Sequence, residues 1–222
     1  MPAHSDREHP ASTQNIDDAL AFLVATGLVY ENGNFFGISF ASNLSLDLLI
    51  LRQMNRLAKR EIEAKHQLDP LYIAILDEVF IRPNRLFVDR IHIEVNKLRQ
   101  AKAVGGLSQE KVQAWKRVMA FLGVGKRVGS GFQCVYTPAL LRTVLHNWPE
   151  KSASLQSFFE TYLTEFLPFE TESKSVAQAV SEPLRYLAMR GEITLESRQD
   201  SPSKAYFGDQ RFQYITHSGG MA

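Results

Sequence analysis

The residues best placed to do chemistry are cations. Between Arg82 and Arg127 stand eleven Lys or Arg residues, opposed only by Asp89, Glu94 and Glu110, a net +8. The flanks are acidic. Residues 1–40 carry one base and five acids, and residues 150–200 five bases and nine acids, each −4. The whole chain is near neutral at +1, so the signal lies in where charge is placed rather than in its total. A concentrated basic surface suits a polyanion, because phosphate contacts supply most non-specific DNA affinity. The candidate DNA-binding residues are Gln109, Gln113, Lys116, Arg117, Lys126 and Arg127. Glutamine can read adenine and arginine guanine, although their presence alone does not establish sequence specificity. A solvated basic face on a folded domain is the alternative reading.

Other chemistries find less support. Gly123-Val124-Gly125-Lys126-Arg127 superficially suggests a phosphate loop. That motif needs Ser or Thr after its Lys and an earlier Gly, where this chain has Arg127 and Ala120. The six histidines form no HExxH or close i, i+4 pair, so no metal site follows. Asp77 and Glu78 are adjacent and diverge on a helix. No Ser/His/Asp constellation stands out, and no cofactor is expected. Cys134 is alone, which excludes an intramolecular disulfide and fits a reducing compartment. It reads as a small buried apolar residue. No apolar run approaches the ~18–20 residues needed to span a bilayer. The polar N-terminus lacks the apolar core of a signal peptide, so a cytoplasmic protein without membrane contact is expected.

The candidate residues need elements to position them, and Ser108–Tyr136 supplies these. Ser108 is a good N-cap. Val112, Trp115, Met119 and Leu122 recur at spacings of three and four, which makes one helix face apolar. Gln109, Gln113, Lys116 and Arg117 then fall on the faces left free. Gly123 is the helix stop. Val124–Val128 and Phe132–Tyr136 read as strands joined through Gly129-Ser130-Gly131. Helix followed by hairpin is the second half of a winged helix.

The remaining chain repeats the pattern. Asn15 caps an expected helix Ile16–Ala25, with Asp17 and Asp18 at its start and Gly27 at its end. A hairpin follows through Asn32-Gly33-Asn34. Leu44–Lys65 reads as one long connector helix. Leu46, Leu49, Ile50, Met54 and Leu57 form its apolar stripe, and Arg52, Arg56, Lys59 and Arg60 its basic side. Asp69 and Pro70 open the next helix. After Arg82-Pro83-Asn84 come a short strand Leu86–Val88, a helix capped by Asp89 that runs to about Arg99, and the glycine loop before Ser108. Pro138 starts a helix to about His146. Leu155, Phe158, Phe159, Tyr162, Leu163 and Phe166 mark a strongly apolar helix. Val176, Ala179 and Val180 suggest a short second helix, and Ser181 caps a third with Pro183 in its first turn. That helix ends at Gly191. Strands are expected at Glu192–Arg198, Ala205–Phe207 and Phe212–Ile215. Asp17, Asp18 and Glu182 would repel phosphate, with Arg185 only a partial offset, so the outer modules read as protein-contact surfaces. Tyr186 and Phe159 are candidates there.

The expected fold is mainly α with small β-hairpins, an α+β tandem of winged-helix modules with the first incomplete. The modules are a tail 1–14, a partial module 15–42, a connector 43–66, a central module 67–148, a C-terminal module 150–216 and a tail 217–222. This layout resembles the tandem winged-helix proteins that associate with kleisins in bacterial condensin-type complexes. It also resembles the small subunits of SMC-containing plasmid- and phage-defence systems. Ser108–Tyr136 with Thr137-Pro138 carries the resemblance. It implies a non-enzymatic accessory subunit that touches DNA without sequence preference and binds a larger partner such as an SMC ATPase or kleisin. A homodimer through the connector is a further expectation. The alternative is a free-standing winged-helix regulator or plasmid replication initiator.

Overall fold

The computed structural model describes residues 20–21, 23–24, 27–33, 35–38, 44–61, 70–197, 206–207 and 212–218. The chain divides into two compact units, Met1–Ala41 and Ser42–Ala222. The expected connector and both later modules therefore share the second unit. The described residues form an α+β structure with three small antiparallel sheets.

In the first unit, helical residues Leu20, Ala21, Leu23 and Val24 lead to Gly27. Strands β1 (Val29–Asn32) and β2 (Phe35–Ile38) then pair with Asn32 opposite Phe35. Asn32 therefore belongs to the first strand rather than to the expected turn, and Gly33 supplies φ +61°. Asn15, Ile16, Asp17 and Asp18 lie outside the described residues.

The second unit opens with α1 (Leu46–Ala58), shorter than the expected Leu44–Lys65. Arg60 takes φ +59°, and the N–H groups of Arg60 and Glu61 close on the carbonyls of Leu57 and Arg56. That left-handed residue ends the helix. Of the expected stripe, Ile50, Met54 and Leu57 are buried and Leu46 is exposed, while Leu48 and Leu51, outside it, are fully enclosed. The basic side of α1 meets the C-terminal region. Arg52 pairs with Glu165 at 3.0 Å, and Asn55 and Lys59 both donate to the Thr164 carbonyl.

Helix α2 (Leu71–Ile75) runs on as a π-helical segment, Leu76–Ile81. The expected capping residue Asp69 lies outside the described residues. Next come β3 (Phe87–Val88), α3 (Ile91–Val95), α4 (Arg99–Ala103), α5 (Gln109–Phe121), β4 (Lys126–Val128) and β5 (Gly131–Gln133). The strands align in the order β3-β5-β4. Phe80, Trp115 and Phe132 pack ring to ring at 5.1–6.1 Å, and the Trp115 indole N–H donates to the Tyr72 carbonyl at 2.9 Å. This aromatic cluster fixes α5 between the first helix and the sheet. The single helix expected after Asp89 is instead two short ones, and Arg90 rather than Asp89 occupies the N-cap position of α3. The Asp89 carboxylate is engaged elsewhere, by the Ser130 hydroxyl.

Thr137 caps α6 (Pro138–Asn147) by accepting from the Leu140 N–H. Strand β6 (Ser152–Ser154), which the sequence reading did not anticipate, precedes a π-helical segment Ser157–Tyr162 and a short 3-10 turn Leu163–Glu165. Helix α7 (Gln178–Met189) is followed by β7 (Ile193–Glu196) and β8 (Tyr214–His217), in sheet order β6-β8-β7. The two helices expected on either side of Ser181 are one helix, with Pro183 inside it. A proline there has no N–H for the carbonyl four residues back, which belongs to Ala179. The Tyr136 N–H donates to that carbonyl at 2.9 Å, so the helix continues with its acceptor satisfied from outside. The Tyr136 hydroxyl also donates to the Pro168 carbonyl, at 2.6 Å.

The helix–glycine–hairpin unit recurs with one cap geometry. Gly27, Gly123 and Gly191 take φ of +71°, +75° and +71°. In each case the glycine N–H bonds the carbonyl three residues back, and the next N–H bonds the carbonyl five back, at 2.9–3.2 Å. Two orphan carbonyls of each helix end are satisfied in this way. The surroundings differ. A Cβ on Gly191 meets nothing within 4 Å, whereas one on Gly123 would lie 2.7 Å from the Thr137 hydroxyl that caps α6. Gly191→Ala is therefore expected to cost about 1–2 kcal/mol from backbone strain alone. Gly123→Ala is expected to cost at least about 1 kcal/mol more through overpacking. Urea unfolding of both variants measures the difference, and equal losses would show that the Thr137 contact relaxes freely.

Candidate nucleic-acid interface

Helix α5 begins as its sequence dictates: the Ser108 hydroxyl accepts from the Lys111 N–H at 3.3 Å. Val112, Trp115, Met119 and Leu122 are all buried. With that stripe inward, Gln109 and Arg117 are exposed and Gln113 is half-buried. Lys126 and Arg127 are exposed on β4. Strands β4 and β5 are shorter than expected at the end away from the turn, where the Val124 N–H is taken by the Met119 carbonyl and the Tyr136 N–H by the Ala179 carbonyl. Beyond the ladder, Cys134 is fully buried and burial pushes its thiol pKa far up, so it is no nucleophile.

Lys116 departs from expectation. It is 1% exposed, so it does not share the free face with Gln109 and Arg117. The residue adjoins Trp115 at the edge of the buried stripe, and the hairpin folds over it. Its Nζ donates to the Ser130 carbonyl at 2.7 Å. The Ser130 hydroxyl donates in turn to Asp89. Three elements thus meet at the turn: α5 through Lys116, the hairpin through Ser130, and the segment leading into α3 through Asp89. Lys116 positions the hairpin rather than presenting itself to a ligand.

The other basic residues remain available. Of the eleven cations, Arg82 pairs with Asp77 at 2.8 Å, Arg85 with Glu94 at 3.4 Å and Lys97 with Glu94 at 2.6 Å. Arg90, Arg99, Lys102, Lys111, Arg117, Lys126 and Arg127 are exposed and enter no ion pair among the described residues. Four of these, Arg90, Arg99, Lys102 and Lys111, were visible in the sequence only as part of the local charge count. Their exposure follows from how α3, α4 and α5 turn their apolar faces inward.

The C-terminal unit offers less to an anion. Glu182 is exposed in α7, and it sits in the second turn because the helix starts at Gln178 rather than at Ser181. Arg185 is tied to Glu182 at 3.5 Å and to the Phe207 carbonyl at 3.1 Å. Phe159 is core, while Tyr186 is 45% exposed. A cleft of about 820 Å³ lies between α1, the first π-helical segment and residues 164–174. Asp77 pairs there with Arg82 and Glu170 with Lys174, and Glu78 accepts from the neutral Gln100 amide. Burial raises the Asp77 pKa against the opposing pull of Arg82. Among the described residues no group of three His, Cys, Asp or Glu side chains could hold a metal ion, and no helix is long and apolar enough to cross a membrane. No protein-family model, curated protein or solved structure matches the chain.

The environment of Lys116 makes a measurable prediction. Burial lowers its pKa below the ordinary 10.5, the nearby Arg127 charge acts the same way, and Asp89 opposes both. The folded protein then sheds this proton before the unfolded chain does. Stability from this group therefore rises with pH from the lowered value up to 10.5. Urea unfolding of wild type and Lys116→Met across that alkaline window is expected to show a widening advantage for wild type. A constant difference would mean that desolvation does not govern Lys116.

Proposed function

We propose that the chain is a non-catalytic, DNA-associated accessory subunit of a bacterial multiprotein complex, of the SMC/condensin or plasmid- and phage-defence kind, working in the cytoplasm. Its central module acts as a winged helix. Helix α5 faces the DNA groove through Gln109, Gln113 and Arg117, and the β4–β5 hairpin meets the backbone through Lys126 and Arg127. The order α2, β3, α3–α4, α5, β4, β5, with β5 central in its sheet, supports that reading.

One observation carries the DNA assignment: seven exposed cations around α3, α4, α5 and β4 have no carboxylate partner among the described residues. Such a surface is costly to leave unanswered and suits a polyphosphate. The outer parts suit protein. Phe35 and Ile38 on the first hairpin, and Tyr186 and Met189 on α7, are large apolar side chains open to solvent. They fit contacts with a larger partner of the SMC ATPase or kleisin type.

Binding to random duplex DNA is expected to be strongly salt-dependent, with log affinity falling by about 0.9 per log salt for each phosphate engaged. Replacing Arg117, Lys126 and Arg127 together with Ala should reduce that slope by about 2–3 and weaken binding at fixed salt. Lys116→Met should leave the slope unchanged. Equal affinity of the triple variant and wild type would overturn the assignment. Co-purification from native extract tests the partner separately.

A further inference from the structure

We propose that a pocket beside α5 receives one unpaired nucleobase from bound DNA, a proposal that rests on the DNA-contact reading above. The pocket is about 210 Å³ and lies between α3, α5 and the hairpin turn. That is below the ~300–1,000 Å³ of cofactor sites, and suits a single planar ring system rather than a whole nucleotide cofactor.

The lining has the chemistry of a base site. Ile91 and Val112 form an apolar floor and are themselves almost fully buried. Ile93, 48% exposed, offers an apolar wall on which a ring can lie. Gln109 and Gln113 stand one helical turn apart at the same pocket, and neither side chain makes a hydrogen bond. A primary amide presents a donor and an acceptor side by side, which matches a base edge and adenine in particular. Arg90, exposed and without an ion-pair partner, stands at the same pocket and can hold the phosphate attached to the base. The opposite side is fixed by the Ser130–Asp89 hydrogen bond and by Lys116 beneath the turn, so the pocket is held open before any ligand arrives.

A stacked, paired base cannot enter such a pocket without leaving the duplex, at a cost of a few kcal/mol. A base that is already unpaired enters without that cost. The site therefore favours bulges, gaps or forks over perfect duplex.

Three DNAs decide the matter: a perfect duplex, the same duplex with one bulged adenine, and the same duplex with one bulged abasic residue. Wild type is expected to bind the adenine bulge at least about fivefold more tightly than the duplex. The abasic bulge should bind like the duplex. The double variant Gln109→Leu, Gln113→Leu should lose the preference, binding the adenine bulge and the duplex with equal affinity. Failure to bind any DNA would overturn the proposed function itself. Duplex binding without preference for the adenine bulge overturns the base pocket alone, as would equal binding of both bulges or a preference that survives in the double variant.

Discussion

Pro183 has no N–H to give to the Ala179 carbonyl, and the joining of the central and C-terminal regions runs through the acceptor it leaves. Tyr136 fills that place with its own N–H and anchors its hydroxyl on Pro168. The tyrosine is fully buried, and burial pushes its phenol pKa well up, so it stays a neutral donor at ordinary pH. Further bonds follow the same seam: Gln178 N–H to the Asn84 side chain, and Glu172 N–H to the Arg82 carbonyl. Each neutral bond contributes only about 1 kcal/mol net, but an unmet buried carbonyl costs more than that. The proline thus acts as a specificity device, because it creates an acceptor that only an outside donor can satisfy. The hairpin that carries Lys126 and Arg127 leads directly into Tyr136. The basic surface is consequently held on a frame that includes the C-terminal helix.

The sorting of cations on α5 follows from a second constraint. The buried stripe of Val112, Trp115 and Met119 is narrow, and its edge falls under the hairpin. A residue at that edge must be able to lay an apolar stem against the core and still reach a polar group. Lysine can do this, and Lys116 reaches the Ser130 carbonyl. Arg117, one position further round, points clear of the core. Two adjacent basic residues therefore have opposite roles, one fixing the hairpin and the other remaining free for a ligand.

Local chemistry was legible in the sequence where a residue type announces its own geometry. Ser108 caps α5, Asn84 lies where the preceding helix breaks, and Gly27, Gly123 and Gly191 all form the same paired cap. The apolar stripe of α5 was readable because its spacing is regular. What escaped were features decided by distant partners. Arg60 ends α1 in a left-handed conformation that no sequence signal marks for an arginine. Pro183 survives inside a helix only because Tyr136, far away in the chain, answers it. Strand β6 is three residues of Ser-Ala-Ser with weak strand propensity, and exists because β8 offers an edge. Lys116 looked like its neighbours because periodicity describes a face without saying what folds across it.

The three helix–glycine–hairpin units also differ at the sheet. In the two later units a strand from earlier in the chain, β3 or β6, pairs with the second hairpin strand, β5 or β8, and closes its outer edge. Among the described residues β2 has β1 as its only partner. A hairpin of two four-residue strands is marginal in water, and an edge without charge or proline is open to pairing. Strand β2 reads Phe-Phe-Gly-Ile, and neither of these guards is present. Its glycine lies beneath the Tyr30 ring, which covers backbone that would otherwise face solvent. The same local code thus yields two three-stranded sheets and, among the described residues, one two-stranded hairpin. Closure of the basic central sheet comes from β3, and its hold on the C-terminal helix from Tyr136.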